Sequence, residues 1–189
     1  MTTFDQALAA ARARPGDAAV AEALAEAALE TQAEQRALPL VTAAAERLKG
    51  NARLWQWTGL LHRALDQHAQ ALPAFNAAVM LAPRDARIAQ GRAQVALEAG
   101  LDATALFEAA RRLAPNDAGI LLGHIAARVA IGDIDGAIAD LEAILAQNPG
   151  WSEGHDKLIQ LRWMMGDRAG ATATLERHVG THPRDANLL

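Results

Sequence analysis

The sequence predicts an all-α protein built from stacked pairs of helices, and three observations carry that expectation. Pro83, Pro115, Pro149 and Pro183 stand 32, 34 and 34 residues apart, and Pro15 lies two steps of 34 before Pro83, with Lys49 at the step between. The surroundings recur with the anchors. Twelve residues before each stand Ala37, Ala71, Ala103, Ala137 and Ala171; eight before stand Val41, Phe75, Phe107, Leu141 and Leu175. Two after stand Asp17, Asn51, Asp85, Asp117 and Asp185, with Trp151 and Ser152 at the one exception. A period in this range marks stacked supersecondary units. The composition agrees: 51% of the residues are apolar, Ala, Leu, Glu, Gln and Arg dominate, and these are strong helix formers. No run alternates in the manner of a strand.

Taken in order, residues 1–14 read as a lone helix that lids the N-terminal end. Residues 18–51 form a first helix pair that closes on Lys49 and Gly50, where glycine can supply the positive φ that stops a helix. Residues 52–85 are the most regular pair. Asn51 caps the first helix by accepting from an orphan amide, a turn near Asp66 and Gln67 ends it, and a second helix carries Ala71, Phe75, Ala78 and Val79 to the stop at Pro83. Residues 86–117 are two short, and the loss falls in the turn or the start of the second helix, because Gly100 to Pro115 spans 15 residues where Gly132 to Pro149 spans 17. Residues 118–151 and 152–185 complete the series, with Ser152 as an apparent cap, and 186–189 begin a further helix. Pro39 and Pro73 fall near the first turn of second helices, where a missing amide costs little, so both helices should run through them.

The unit 52–85 resembles the tetratricopeptide repeat through Trp55, Gly59, Ala71, Phe75, Ala78 and Pro83. The resemblance implies a right-handed solenoid of antiparallel helix pairs, with Gly59 and Ala71 letting helices approach and Trp55 and Phe75 filling the space to the next repeat. The family's tyrosine is replaced throughout, by Ala28, His62, Ala96, Arg128 and Arg162, and His178 stands where alanine is usual.

Signals for chemistry are weak. There are no cysteines, so thiolate chemistry is excluded, and serine is nearly absent. His178 and His182 have a spacing that can share a metal on one helical face, but Gly180 and Pro183 put them at a helix end without a third ligand, and they read as solvated. His155-Asp156 lacks the intervening residue of a facial-triad iron motif, and no phosphate-cradling glycine loop occurs. Glu22, Glu26 and Glu30 read as a solvated acidic row. We therefore expect no catalytic residues, no metal and no cofactor. The net charge of −4 with interspersed signs offers no stripe for nucleic acid or an anionic membrane. The absence of an apolar leader or span points to a cytoplasmic protein, and richness in Ala and Arg suits a bacterial genome.

What remains is a binding surface. The resemblance implies that first helices line an inner groove for a peptide or protein, with Arg53, Gln56, Trp57, Leu60 and Arg63 followed by Arg87, Gln90 and Gln94, then Leu122, Ala126 and Val129, then Asp156, Gln160 and Trp163. Trp57 is the candidate anchor, because Trp55 already holds the packing position. Arg53, Arg63 and Arg87 could grip a carboxylate. The family's Lys/Asn carboxylate clamp is not carried over: its positions hold Glu22, Glu26, Gln56, Leu60, Gln90 and Gln94. Two alternatives stand beside the peptide scaffold. One is a substrate-binding or dimerisation region of a larger bacterial enzyme, of sulfotransferase or 2-oxoglutarate/Fe(II) oxygenase type, with catalysis beyond Leu189. The other is a homodimer through the apolar helix 119–132 and the unfinished C-terminal helix.

Overall fold

The computed structural model describes residues 3–181, and within them eleven α-helices follow one another. The first is α1 (Thr3–Ala13). Then come α2 (Ala18–Thr31) with α3 (Glu34–Arg47), α4 (Ala52–Ala64) with α5 (His68–Leu81), and α6 (Ala86–Glu98) with α7 (Thr104–Leu113). The last pairs are α8 (Ala118–Ala130) with α9 (Ile134–Gln147), and α10 (Ser152–Met164) with α11 (Arg168–Thr181). The C-terminal helix expected from residue 186, its anchor Pro183, its cap Asp185, and His182 lie outside the described residues.

Contacts divide the chain into two compact units, residues 1–121 and 122–189. In the first, each helix packs on its successor, and α2 meets α4 as α4 meets α6. The first helices thus form a layer of their own. In the second, α10 packs on α9 and α11, around Ile125, Leu141, Leu145, Leu158 and Leu161.

The caps are local and chemical. Asp17 Oδ1 accepts from the Val20 amide at 3.3 Å, Asn51 Oδ1 from Arg53 and Leu54 at 3.0 and 3.2 Å, and Asp85 Oδ1 from Arg87 and Ile88 at 2.9 and 3.2 Å. Asp117 Oδ1 does the same for Ile120 at 3.0 Å. Each of these bonds answers an amide that the helix itself cannot. Ser152 is not a cap: Trp151 holds the capping position without a side-chain bond, and Ser152 is the first helical residue. α3 and α5 run through Pro39 and Pro73 as expected, but each proline is the sixth residue of its helix, beyond the first turn, because both helices start earlier than the sequence suggested.

The stop after α3 also differs from expectation. Positive φ occurs at Gly100, Gly132 and Gly166 but not at Gly50; α3 instead ends on Leu48, whose amide donates to the Ala44 carbonyl. Left-handed backbone is used inside the repeats, at the turn between paired helices. There Gln32 (φ 55°) and Asp66 (φ 56°) occupy the place that glycine holds in later repeats. In the short repeat, α7 has 10 residues against 14 in α5, and the turn before it runs from Ala99 to Ala103, so the loss sits at the start of the second helix.

Phe75 explains the glycines of the regular repeat. It is fully buried, and a Cβ placed on Gly59 of α4 would lie 2.7 Å from its ring. One on Gly91 of α6 would lie 2.3 Å from Cε1. The ring therefore fills the volume both glycines leave open, one in its own repeat and one in the next. Trp55 reaches the other way too: it packs on the cluster of Ala21, Ala44, Ala45 and Leu54 as well as on that of Phe75, and its Nε1–H donates to the Lys49 carbonyl at 3.2 Å.

Three of the residues standing where the family has tyrosine, His62, Arg128 and Arg162, link a first helix to the start of its partner. His62 Nδ1 lies 2.8 Å from Gln67 Oε1, just before α5. Arg128 pairs with Asp133, the cap of α9, and its Nε donates to Asp140 at 2.6 Å. Arg162 Nε lies 3.8 Å from Asp167, which accepts from the Gly170 amide at the start of α11, and the guanidinium also bonds Glu142 and Thr174.

Candidate interaction groove

The first-helix layer of the first unit positions most of the candidate residues. Asn51 and Asp85 cap α4 and α6, which fixes where both helices start and hence which side chains lie level with one another. Between them opens a groove of about 670 Å³ lined by Arg53, Gln56, Trp57 and Leu60 of α4, by Arg84 and Asp85 of the turn, and by Ala86 and Arg87 of α6. Five residues named from the sequence thus share one cavity. Leu60 also lines a second cavity, of about 540 Å³, with Leu29, Arg63, Ala64, Asp66, His68 and Glu98.

Two of the three arginines assigned to a ligand carboxylate are engaged within the chain. Arg53 Nε lies 3.0 Å from Glu22 of α2, so this glutamate is an ion-pair partner and not part of a merely solvated row. Arg63 forks onto Glu98, with Nε to Oε2 at 2.8 Å and Nη2 to Oε1 at 2.6 Å. Gln94 donates to the same carboxylate at 2.9 Å. The Glu98 carboxyl is held below the usual carboxylate range, first by its hydrogen bonds from Arg63, against the opposing effect of burial. The Arg63 guanidinium is held higher by the same bond. These pairs join residues one repeat apart, because a first helix lies beside the next.

Trp57 does not stand clear of the surface. It is half-buried and packs against the cluster of α1, α2 and α3, and its Nε1–H is buried with no acceptor among the described residues. It serves as wall and floor of the groove, not as a free anchor. Gln90 is half-buried, with Nε2 2.7 Å from where a Cβ of Gly119 would stand. Arg84, absent from the sequence-derived set, lies in the turn. The turn belongs to neither helix, so helical periodicity could not place it. Its signal was its position beside the cap Asp85.

The other candidates lie in the second unit. Leu122, Ala126 and Val129 are half-buried, and Val129 packs on the core there. Asp156 is exposed, Gln160 accepts from Lys157 at 3.0 Å, and Trp163 is 60% exposed with Arg168 over its ring at 5.8 Å. The reading of the histidines as solvated fails at His178, which is 3% exposed with its ring 5.0 Å from that of buried His155. At an alanine position of a second helix, the larger ring fills the core. Among the described residues no three ligating side chains gather into a metal site. None of their helices is long and apolar enough to cross a membrane.

No protein-family model matches the chain, and no curated protein is similar to it in sequence. Solved structures are similar in fold. MamA 41-end from Desulfovibrio magneticus RS-1 is 16% identical with a TM-score of 0.73, over 88% of this chain and 96% of that one. A tetratricopeptide repeat protein from Parabacteroides merdae is 20% identical with a TM-score of 0.73, over 94% and 71%. YrrB, described as a TPR protein with an unusual peptide-binding site, is 17% identical with a TM-score of 0.69, over 100% and 99%. With the helix pairs, the turns and the Phe75 packing, these likenesses show that the chain has the tetratricopeptide-repeat fold.

Proposed function

We propose that this chain is a non-catalytic binding scaffold whose first unit receives a peptide segment of a partner protein in the groove between α4 and α6. The observation that carries the reading is convergence. Two successive first helices, and the turn that leads from α5 into α6, bring Arg53, Gln56, Trp57, Leu60, Arg84 and Arg87 around one cavity. Its size falls within the range of about 300–1,000 Å³ typical of ligand sites. Leu60 is shared with the neighbouring cavity, so an extended segment has two places for side chains along the same helix layer. Trp57 and Leu60 offer apolar contact, and glutamine and arginine offer donors, a mixture that suits a peptide. The unusual peptide-binding site described for YrrB supports the reading by likeness of fold alone.

A displayed random-peptide library, panned on the immobilised full chain, tests it. Leu60→Gln keeps the side-chain volume and removes apolar contact from both cavities. The selected peptides should bind it about fivefold more weakly, the equivalent of about 1 kcal/mol of lost apolar contact. Peptides that bind both proteins equally would place the interaction elsewhere.

A further inference from the structure

We infer that the occupant of this groove is an acidic peptide segment, with its carboxylates held by Arg84 and Arg87 and an apolar side chain seated on Trp57 and Leu60; the inference rests on the groove reading above. The three arginines of the groove are not equivalent. Arg53 already faces Glu22 at 3.0 Å. Neither Arg84 nor Arg87 has an ion-pair partner among the described residues, and both are exposed. The one acidic side chain in the lining, Asp85, lies between them in sequence, but its Oδ1 is committed to the amides of Arg87 and Ile88 at 2.9 and 3.2 Å. Two guanidiniums are thus left to answer charge from outside, at the start of α6, where the helix dipole also favours a negative group.

The contrast with the rest of the chain narrows the ligand. With a net charge of −4 and interspersed signs the sequence offers an extended polyanion no continuous positive stripe, so this patch is a poor footing for nucleic acid. A short acidic peptide meets only the local field. Planar guanidiniums take carboxylates in a two-pronged geometry that a lysine could not match. The adjoining apolar floor of Trp57 and Leu60 rewards a peptide side chain and offers nothing to a phosphate backbone.

Panning the same library on the full chain, with fluorescence anisotropy of the selected peptides, decides the matter. The expected peptides are rich in Asp and Glu around one aromatic or aliphatic residue. Their affinity should fall about tenfold in the Arg84→Glu/Arg87→Glu variant, and by a similar factor when NaCl rises from about 50 to about 300 mM, as the Debye length shortens. Both arginines are exposed, so the variant should melt as the parent does. Peptides without acidic enrichment that still weaken with Leu60→Gln would overturn the acidic ligand and leave the groove reading standing. Acidic peptides indifferent to the double substitution would also overturn it. If selection yields no peptide, or only peptides indifferent to both variants, both readings fall.

Discussion

Gly91 and Phe75 meet across two repeats at a distance that leaves no room for a methyl group: a Cβ on Gly91 would stand 2.3 Å from Phe75 Cε1 and 2.8 Å from Cζ. Two effects oppose each other at this position. Alanine is favoured over glycine inside a helix by about 0.5–1 kcal/mol. Overpacking a closed core costs about 1–3 kcal/mol. Phe75 is fully buried and cannot swing aside, so the clash should win. Gly91→Ala is expected to destabilise the protein by about 1–2 kcal/mol in urea unfolding. The Gly91→Ala/Phe75→Leu double variant should be less destabilised than the two single losses added. Simple additivity would show that the ring does not set the glycine.

The left-handed turn positions make a second prediction, opposite in sign. Gln32 and Asp66 hold φ near 55° at a place where the later repeats use glycine. The left-handed region costs a side chain about 1–2 kcal/mol, and glycine recovers part of that against its larger chain entropy. Gln32→Gly should therefore raise stability by about 0.5–1 kcal/mol. Asp66→Gly should gain less, because aspartate tolerates this backbone better. Thermal melts of both variants check the order.

Acid should weaken the bond between α4 and α6. The Glu98 carboxyl is held below its ordinary value, chiefly by Arg63. Its contribution is therefore complete above the unfolded value of about 4.3 and is lost as pH falls through the lower folded value. Both side chains are partly open to solvent, 38% for Arg63 and 26% for Glu98, so screening holds the pair to about 0.5–1 kcal/mol. The stability difference between the parent and Glu98→Gln should stay constant from about pH 7 to 5 and shrink below about pH 4. A difference that persists at lower pH would assign it to packing.

Arg128 joins the turn to α9 through two carboxylates, Asp133 and Asp140, and Asp140 also lies 3.3 Å from His124 Nδ1. Arg128→Met should cost the second unit about 1–2 kcal/mol, seen as faster amide exchange in α9. Arg128→Lys should recover only part of this, because a point charge cannot serve both acids as the fork does. Full recovery by lysine would reduce the network to simple charge attraction.

Much of this molecule was legible along the chain, and the reason is range. A cap needs only a side-chain oxygen two or three residues before an amide, so Asp17, Asn51, Asp85 and Asp117 declared the helix starts. Ser152 misled because chemistry alone did not say which side of the boundary it occupied. Helices run through Pro39 and Pro73 even though each is the sixth residue of its helix, past the first turn, and so forgoes one intrahelical amide bond. The candidate groove was half legible. A repeat near 34 residues brings successive first helices together, which is why Arg53, Gln56, Trp57, Leu60 and Arg87 gather in one cavity. Periodicity says which face a residue occupies, but not what its side chain meets there.

The sequence by itself determined the repeat, the helix boundaries set by local caps, and the face each first-helix residue presents, because all of these depend on contacts a few residues long. Tertiary structure decided which charges are spent and which are left. Only the packing of α2 beside α4 turned Arg53 toward Glu22, and only that of α4 beside α6 brought Arg63 onto Glu98. The same packing left Arg84 and Arg87 unanswered at the mouth of the groove. Partners one repeat away are chosen by interhelical geometry, and that geometry is settled by the whole stack, down to a single ring lodged against Gly59 and Gly91.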